Sequence, residues 1–425
     1  MGNMLMIMGI LIFLVTFYFI ITEKYPKSLV SVIGGALMVV VNILNEKKAL
    51  EVVGHNLEIL VLLIGMMIIV EIMSETGIFQ WVAIKIAQSV NGDPIKILAL
   101  LSIVTATFSA FLDNVTTILL IVPVTIFLAK RLELDPKPFV LMQIFMSNIG
   151  GTATMIGDPP NLIIGSLGKI TFNEFIVHLG PIVLINAIVL IVSASLYLKP
   201  RMHVSRELRA TIMELDLSRT IKNKKLLMQS IIVFMGVILG FLTNSFTDIG
   251  LSIIAVLGAG ILVVLSGKKP EDVLVKVEWD TLFFFGGLFV VIQGIEELGI
   301  VKMIGEYVVS LTAGNLELTS SLILLVSAGL SPIIGSIPHA LSFGKIILEI
   351  LPNYSGDTNV LWWSLSLGAC LGGNMTIVGA AANMVGASVS KKVGIEITFK
   401  EFFKWGTIVV AQSVVLSLIY IYVRY

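Results

Sequence analysis

Apolar residues along this 425-residue chain neither alternate nor form a narrow helical stripe; they fill long unbroken runs. A helix needs about 20 apolar residues to cross a bilayer, with a range of roughly 17–25. Runs at 4–21, 28–44, 57–74, 174–198, 226–243, 249–266, 280–295 and 405–423 meet or approach that length, and each predicts a spanning helix. Four other apolar stretches are interrupted. In 95–130 two apolar arms flank Asp113-Asn114-Val115-Thr116-Thr117. In 138–167 the interruption is GGTATMIGDPPN, in 317–351 it is SPIIGSIPHA, and in 361–389 it is GGNMTIVGAAAN. Unpaired backbone groups are costly in hydrocarbon, so such breaks survive only where protein buries them or where they line a cavity. The expected class is an all-α polytopic membrane protein with re-entrant hairpins at 95–130 and 317–351 and discontinuous helices at 138–167 and 361–389.

Composition agrees with the pattern. Mean hydropathy is +1.00, 56% of residues are hydrophobic and 13% are charged, against about 25% charged in soluble domains. The lipid bilayer is the expected partner. Zero net charge gives no signal for nucleic acid. A single cysteine, Cys370, excludes an intramolecular disulfide, and four histidines and one cysteine scattered along the chain offer no haem, iron–sulfur or structural zinc site. No organic cofactor is expected. The first 21 residues lack a basic n-region and a small-residue cleavage site, which points to a spanning helix rather than a signal peptide. Neither a Gly-Lys-Ser/Thr phosphate loop nor His-Glu-x-x-His occurs, and an enzyme is not expected.

The charged segment 199–225 divides the chain. It carries eight Lys/Arg against three Asp/Glu, and Leu208, Ile212 and Leu215 recur at helical spacing, suggesting a helix along the membrane surface. Residues 1–198 and 226–425 resemble each other at an offset of 222. Gly65 then falls on Gly287, Glu75 on Glu297, Gly77 on Gly299 and Ser109 on Ser331. In 148–166, six of nineteen positions coincide: Gly150/Gly372, Gly151/Gly373, Thr154/Thr376, Gly157/Gly379, Asn161/Asn383 and Ser166/Ser388. With small drifts, TFNEF at 171 also matches TFKEF at 398. With 199–225 in the cytoplasm and both hairpins re-entrant, each half crosses five times, and 22 of 28 basic residues fall on the cytoplasmic side. The outer side keeps Lys47, Lys48, Lys169, Lys302, Lys345 and Arg424. Two inverted repeats in the plasma membrane are therefore expected, with ion and substrate sites at the breaks.

The breaks hold the candidate chemistry. Asp113 is a carboxylate at a hairpin tip, surrounded by the neutral oxygens of Asn114, Thr116 and Thr117. That set suits a hard cation such as Na⁺, or a proton on the carboxylate. Asp113 also fits as a cap for the helix that starts near Val115, and both roles are compatible. The segment Asn148–Asn161 combines Gly150, Gly151, Thr152 and Thr154 with Asp158, Pro159, Pro160 and Asn161. Glycine pairs and prolines there predict an unwound stretch between two half-helices, though a plain loop has the same composition. Its counterpart keeps Gly372, Gly373, Asn374, Thr376, Gly379 and Asn383 but has Ala380 in place of the carboxylate. The second tip has Gly335 and Ser336 where the first has Asp113 and Asn114, and adds His339, either an anion-binding or a structural histidine. Glu71 and Glu75, at one end of a span, read more readily as interfacial structure than as transport groups.

At these motifs the chain resembles the ion transporter superfamily. The nearest pattern is the branch of the melanosomal pink-eyed dilution (P) protein, which includes NhaD-type sodium/proton antiporters and arsenite-pump or citrate-transporter-like permeases. The carrying strings are GMMIIVEIMSETGIF at 65–79, SAFLDNVTTILLIVPVTI at 109–126, NIGGTATMIGDPPNLIIG at 148–165, VEWDTLFFFGGLFV at 277–290 and LGACLGGNMTIVGAAANMV at 367–385. The resemblance implies a scaffold plus a mobile transport domain, a homodimer, and sites at 113–117, 150–161, 336–340 and 372–383. Cation or proton binding is then expected at Asp113, Asn114, Thr116, Thr117, Gly150, Gly151, Thr152 and Asp158. Substrate is expected at Thr154, Asn161, Ser336, His339, Gly373, Asn374, Thr376 and Asn383. Sodium-coupled dicarboxylate members carry Ser-Asn-Thr in each tip, and the P-protein branch an Asp-Asn pair in both. Here the second tip reads Ser336-Ile337-Pro338-His339 and matches neither. The expected function is secondary active transport of a small inorganic or carboxylate anion coupled to Na⁺ or H⁺. Na⁺/H⁺ antiport, arsenite efflux and an anion channel are the alternatives.

Overall fold

The computed structural model describes residues 2–22 and 24–425; Met1 and Glu23 lie outside them. The described residues form α-helices and short 3₁₀ turns, with no strand among them. The first half contains α1 (Gly2–Thr22), α2 (Lys27–Val40), α3 (Glu46–His55), α4 (Leu57–Ser74), α5 (Ile78–Ser89), α6 (Pro94–Phe111), α7 (Asn114–Arg131), α8 (Lys137–Gly151), α9 (Pro159–Gly168) and α10 (Phe172–Leu198). The connecting segment carries α11 (Arg206–Met213). The second half contains α12 (Lys224–Thr247), α13 (Leu251–Ser266), α14 (Pro270–Leu274), α15 (Trp279–Glu297), α16 (Ile300–Leu311), α17 (Leu316–Ile334), α18 (Ser336–Ile350), α19 (Asn359–Gly372), α20 (Ala381–Lys392) and α21 (Phe399–Arg424). Helices α15 to α20 each begin 222 residues after α4 to α9.

Local chemistry sets these boundaries. Asp93 and Asn315 cap α6 and α17, each accepting backbone N–H groups at 2.9–3.1 Å. Thr171 and Thr398 cap α10 and α21 in the same way, from the Glu174 and Glu401 N–H groups at 3.3 and 3.2 Å. Nine helices among the described residues are long and apolar enough to cross a membrane. The hairpin arms α6, α7 and α17 are among them, each reaching roughly 27 Å at 1.5 Å per residue. Two expected spans are shorter than the sequence suggested. Helix α2 stops at Val40, before a left-handed turn at Asn42 (φ 59°), and α13 has 16 residues.

The halves interlock by exchange. Helix α4 packs on α13 and α15 packs on α2, so each half supplies the partner for the other's equivalent helix. Glycine makes the crossings close. A Cβ on Gly65 would lie 2.7 Å from the Ala255 carbonyl carbon, and one on Gly287 would be forced into the Ser31–Val32 backbone. The same exchange pairs α9 with α18 and α20 with α7. Helices α10 and α21 run antiparallel: Arg424 Nη1 donates to the Val177 carbonyl at 2.9 Å, while Tyr197 meets Trp405 edge-on at 5.0 Å at the other end.

The connecting segment does not lie free along a surface. Ile212 is fully buried, Gln88 Nε2 donates to the Leu215 carbonyl at 2.9 Å, and the Lys222 N–H donates to the Thr76 carbonyl at 3.0 Å. The apolar side of α11 covers α5 and α7 of the first half, so the helical spacing of Leu208, Ile212 and Leu215 reflects intramolecular packing. Polar latches hold the ends of α4 and α15. Lys276 reaches Glu71 and Glu75 at 2.7 Å each and Lys268 pairs with Glu75, while Lys48 pairs with Glu297 at the counterpart position.

Candidate transport site where four helix breaks meet

Four hairpin or broken-helix segments begin around one cavity of about 190 Å³. Its lining includes Asp113 and Val115 at the start of α7, Pro159 at the start of α9, Gly335 to Pro338 at the start of α18, and Ala380 and Ala381 at the start of α20. Helices α2 and α15 close it from the other side with Lys27, Glu278, Asp280 and Thr281. A helix start exposes unpaired N–H groups and the positive end of the helix dipole. Four such ends from the hairpins and broken helices therefore face a shared space, with the starts of α2 and α15 opposite and three carboxylates among them.

The starts of α7 and α9 are acidic. Asp113 Oδ1 accepts the Thr116 N–H at 2.8 Å, and its other oxygen accepts the Thr116 hydroxyl. Asp113 thus caps α7 and also lines the cavity. Thr117 donates to the Asp113 carbonyl at 3.0 Å. Asp158 opens α9 behind the cavity wall. Its Oδ1 accepts from Asn114 Nδ2 at 3.0 Å, while its Oδ2 is buried without a hydrogen-bond partner. Asn114 Oδ1 is likewise buried and unpartnered. The two orphaned acceptors, one on a carboxylate, belong to side chains that hydrogen-bond each other.

From Asn114 a buried amide relay crosses to the second half. Asn114 Nδ2 also donates to Asn148 Oδ1 at 3.1 Å, and Asn148 Nδ2 donates to Asn374 Oδ1 at 2.8 Å and Asn383 Oδ1 at 2.7 Å. The counterpart of Asn148 is Cys370, whose thiol donates to Asn161 Oδ1 at 3.4 Å. Both Asn161 and Asn383 hold their own unwound segments: Asn161 Nδ2 donates to the Thr152 and Thr154 carbonyls, and Asn383 Nδ2 to those of Gly373 and Thr376. Thr154 and Thr376 tie the breaks to the hairpins through the carbonyls of Ala110 and Pro332. Gly150 and Gly151 belong to close crossings, where a Cβ would meet the Ala106 and Gly157 backbones; Gly373 faces Gly379 likewise. These residues shape the breaks, while Asp113, Ser336, Ala380 and Ala381 face the cavity.

The starts of α18 and α20 carry no carboxylate. Gly335 replaces Asp113 and adopts φ 88°, a conformation that side chains resist. Ala380 replaces Asp158 with nearly the same backbone, φ −143° against −136°. His339 does not line the cavity. It is fully buried one turn into α18, its ring 4.2 Å from that of Phe343, and neither ring nitrogen has a hydrogen-bond partner. Sequence reading missed Lys27, Glu278, Asp280 and Thr281 as site residues. The two carboxylates that open the span within VEWDTLFFFGGLFV were the available signal. Ser28 donates its hydroxyl to Asp280, and Thr281 donates to Glu278 at 3.2 Å.

An all-helical polytopic chain with paired hairpins and broken helices around a shared polar cavity is a membrane transporter. Residues 17–368 match the family model described as "Citrate transporter", and the chain belongs to that family. It is 39% identical over 424 residues to the "46 kDa membrane protein" of Mycobacterium leprae, covering 99% of each chain. The P protein of Mus musculus is 32% identical across 96% of this chain and 59% of its own length. Among solved structures, the YdaH transporter of Alcanivorax borkumensis superposes with a TM-score of 0.50 over 86% of this chain and 85% of its own, at 11% identity, and so shares the fold.

Proposed function

We propose that this protein is a secondary active transporter of a small inorganic or carboxylate anion, coupled to Na⁺ or H⁺ and working by alternating access. The observation that carries the reading is the division of labour among the four helix starts. The two acidic starts suit the coupling ion: Asp158 Oδ2 and Asn114 Oδ1 are buried acceptors that a proton or a cation satisfies. The two neutral starts, at Ser336 and Ala381, keep an uncompensated positive end toward the cavity and suit an anion. Loading the first pair neutralises charge beside the second, which is the electrostatic basis for coupling. Helices α2, α4, α13 and α15 then act as scaffold, and the hairpins with the broken helices form the moving unit.

An inverted arrangement in the plasma membrane, with 199–225 in the cytoplasm, belongs to this reading. The equivalent helices α10 and α21 run antiparallel, and Lys130, Lys137 and Lys268 pair only within the set of basic termini assigned to the cytoplasm. Lys48 and Lys345 pair within the other set. A second reading, Na⁺/H⁺ antiport, draws on the three carboxylates Asp113, Glu278 and Asp280 around one cavity.

Proteoliposomes loaded with the purified protein test the first reading. Uptake of labelled citrate, phosphate or another small anion should rise with an inward Na⁺ or proton gradient. Anion flux that ignores both gradients would instead indicate a channel. Proton efflux driven by Na⁺ without any anion would favour antiport.

A further inference from the structure

A second cleft, of about 710 Å³, opens away from the transport cavity, between the first turns of α8 and α21 and the last turns of α10. Its inner wall is apolar, with Leu141, Met142, Phe145, Leu190, Ile408 and Val409. Its rim is charged. Lys137 donates to Glu401 at 3.2 Å through its side chain and to Asp135 at 3.0 Å through its backbone. Two rim cations remain. Arg201 lies over the Tyr197 ring at 4.1 Å and Lys404 over the Trp405 ring at 5.3 Å, and neither has a carboxylate at ion-pair distance among the described residues. The rim therefore carries one net positive charge, presented by two cations against aromatic faces.

The depth identifies the occupant. From Glu401 at the rim to Gln412 at the floor, α21 descends roughly 16 Å at 1.5 Å per residue, about half of the ~30 Å hydrocarbon core. Ser193 and Gln412 close the floor, 3.4 Å apart. Tyr197 and Trp405 stand at the rim, where aromatic side chains mark the edge of the hydrocarbon. A soluble metabolite needs polar partners along its length, and this wall offers none between rim and floor. A long apolar tail below one phosphate matches the cleft throughout, and basic pockets between spanning helices hold anionic headgroups.

We propose that this cleft binds one anionic glycerophospholipid, with an acyl chain along α8, α10 and α21 and its phosphate between Arg201 and Lys404. The wall it covers also supports the transport site. Gly406 on α21 packs directly against the Asn374 and Met375 carbonyls at the second-half break, and α8 runs into Gly150.

The test is thermal unfolding of the full chain in detergent, titrated with dioleoylphosphatidylglycerol, dioleoylphosphatidylcholine or inorganic phosphate. Phosphatidylglycerol should raise the midpoint by on the order of 3 °C at saturation, while phosphatidylcholine and phosphate leave it unchanged. The double variant R201Q/K404Q should melt where the native protein does without lipid and lose the phosphatidylglycerol increment. Ala194→Trp, which fills the cleft from α10 and leaves the rim charges in place, should lose it as well and decides the matter if the double variant does not fold. Equal increments from both lipids, an increment that survives in both variants, or one reproduced by phosphate alone would overturn the assignment.

Discussion

The tip of α7 and the tip of α18 occupy equivalent places in the two halves, yet their chemistry is opposite. At the first, Asp113 caps its helix with a carboxylate and Asn114 reaches Asp158. At the second, Gly335 bends with a positive φ and leaves the helix start uncapped by any side chain. The backbone frame is shared: Ser109 donates to the Ser147 carbonyl at 2.7 Å, and Ser331 donates to the Ala369 carbonyl at 2.6 Å. The two halves share the hydrogen bonds that hold a hairpin against a broken helix and differ in charge. The frame is alike in both, and the proposed coupling rests on where they differ.

The crossing glycines should give the largest effects. A Cβ on Gly150 is driven into the Ala106 backbone, whereas one on Gly372 would lie 2.7 Å from the Ala328 Cα. Backbone cannot yield as side chains do, so Gly150→Ala should cost about 3 kcal/mol or more and Gly372→Ala less. Yield of folded protein by size-exclusion profile checks the order; equal tolerance would mean that the first crossing is looser than it looks.

Next is the relay. Asn148→Ala removes two donors and one acceptor and strands the amides of Asn114, Asn374 and Asn383. It should cost roughly 2–3 kcal/mol, against about 1 kcal/mol for Cys370→Ala at the equivalent position, whose thiol is only a weak donor. Denaturation midpoints of the two variants measure the difference.

The tips themselves can be made alike. Ala380→Asp fits its backbone, so this variant should fold while losing anion binding, because a carboxylate then stands at a helix start that had none. Gly335→Asp does not fit φ 88° and should lose roughly 1–2 kcal/mol of stability without creating a cation site. Anion titrations paired with melting curves separate these outcomes.

The latches should show the smallest contrast. Burial pushes the Glu75 carboxyl up, but hydrogen bonds and charge from Lys268 and Lys276 outweigh it and hold the group below its ordinary value of 4.5. Lys276 is correspondingly pushed up by Glu71 and Glu75. A lowered carboxylate stabilises the fold above its unfolded value and loses that contribution as pH falls through the folded one. The native protein should therefore lose under about 1 kcal/mol on acidification below pH 4.5. Glu75→Gln should flatten that loss, which thermal melts of the two proteins across pH 3–7 measure.

Much of this fold was legible because a membrane helix is written in length and apolarity, and the breaks in glycine, proline and polar clusters. Asp113 and Asp158 stood out as carboxylates inside apolar runs, and both sit at the starts of broken or hairpin helices. What sequence could not show was which distant surfaces meet. Glu278, Asp280 and Lys27 reach the cavity only because α15 packs on α2, a contact made by the exchange of equivalent helices. His339 illustrates the opposite error. Its place in the tip suggested a binding group, but four residues past Gly335 the helix has turned it inward onto Phe343.

The central claim is that the first half binds the coupling ion and the second half the anion. Thermal stabilisation by a panel of small anions, with and without Na⁺ and across pH, tests it most directly when native protein is compared with Asp158→Asn. In the native protein, anion stabilisation should require Na⁺ or low pH. In the variant it should persist and no longer depend on either. A variant that keeps the native dependence on Na⁺ and pH would contradict the account.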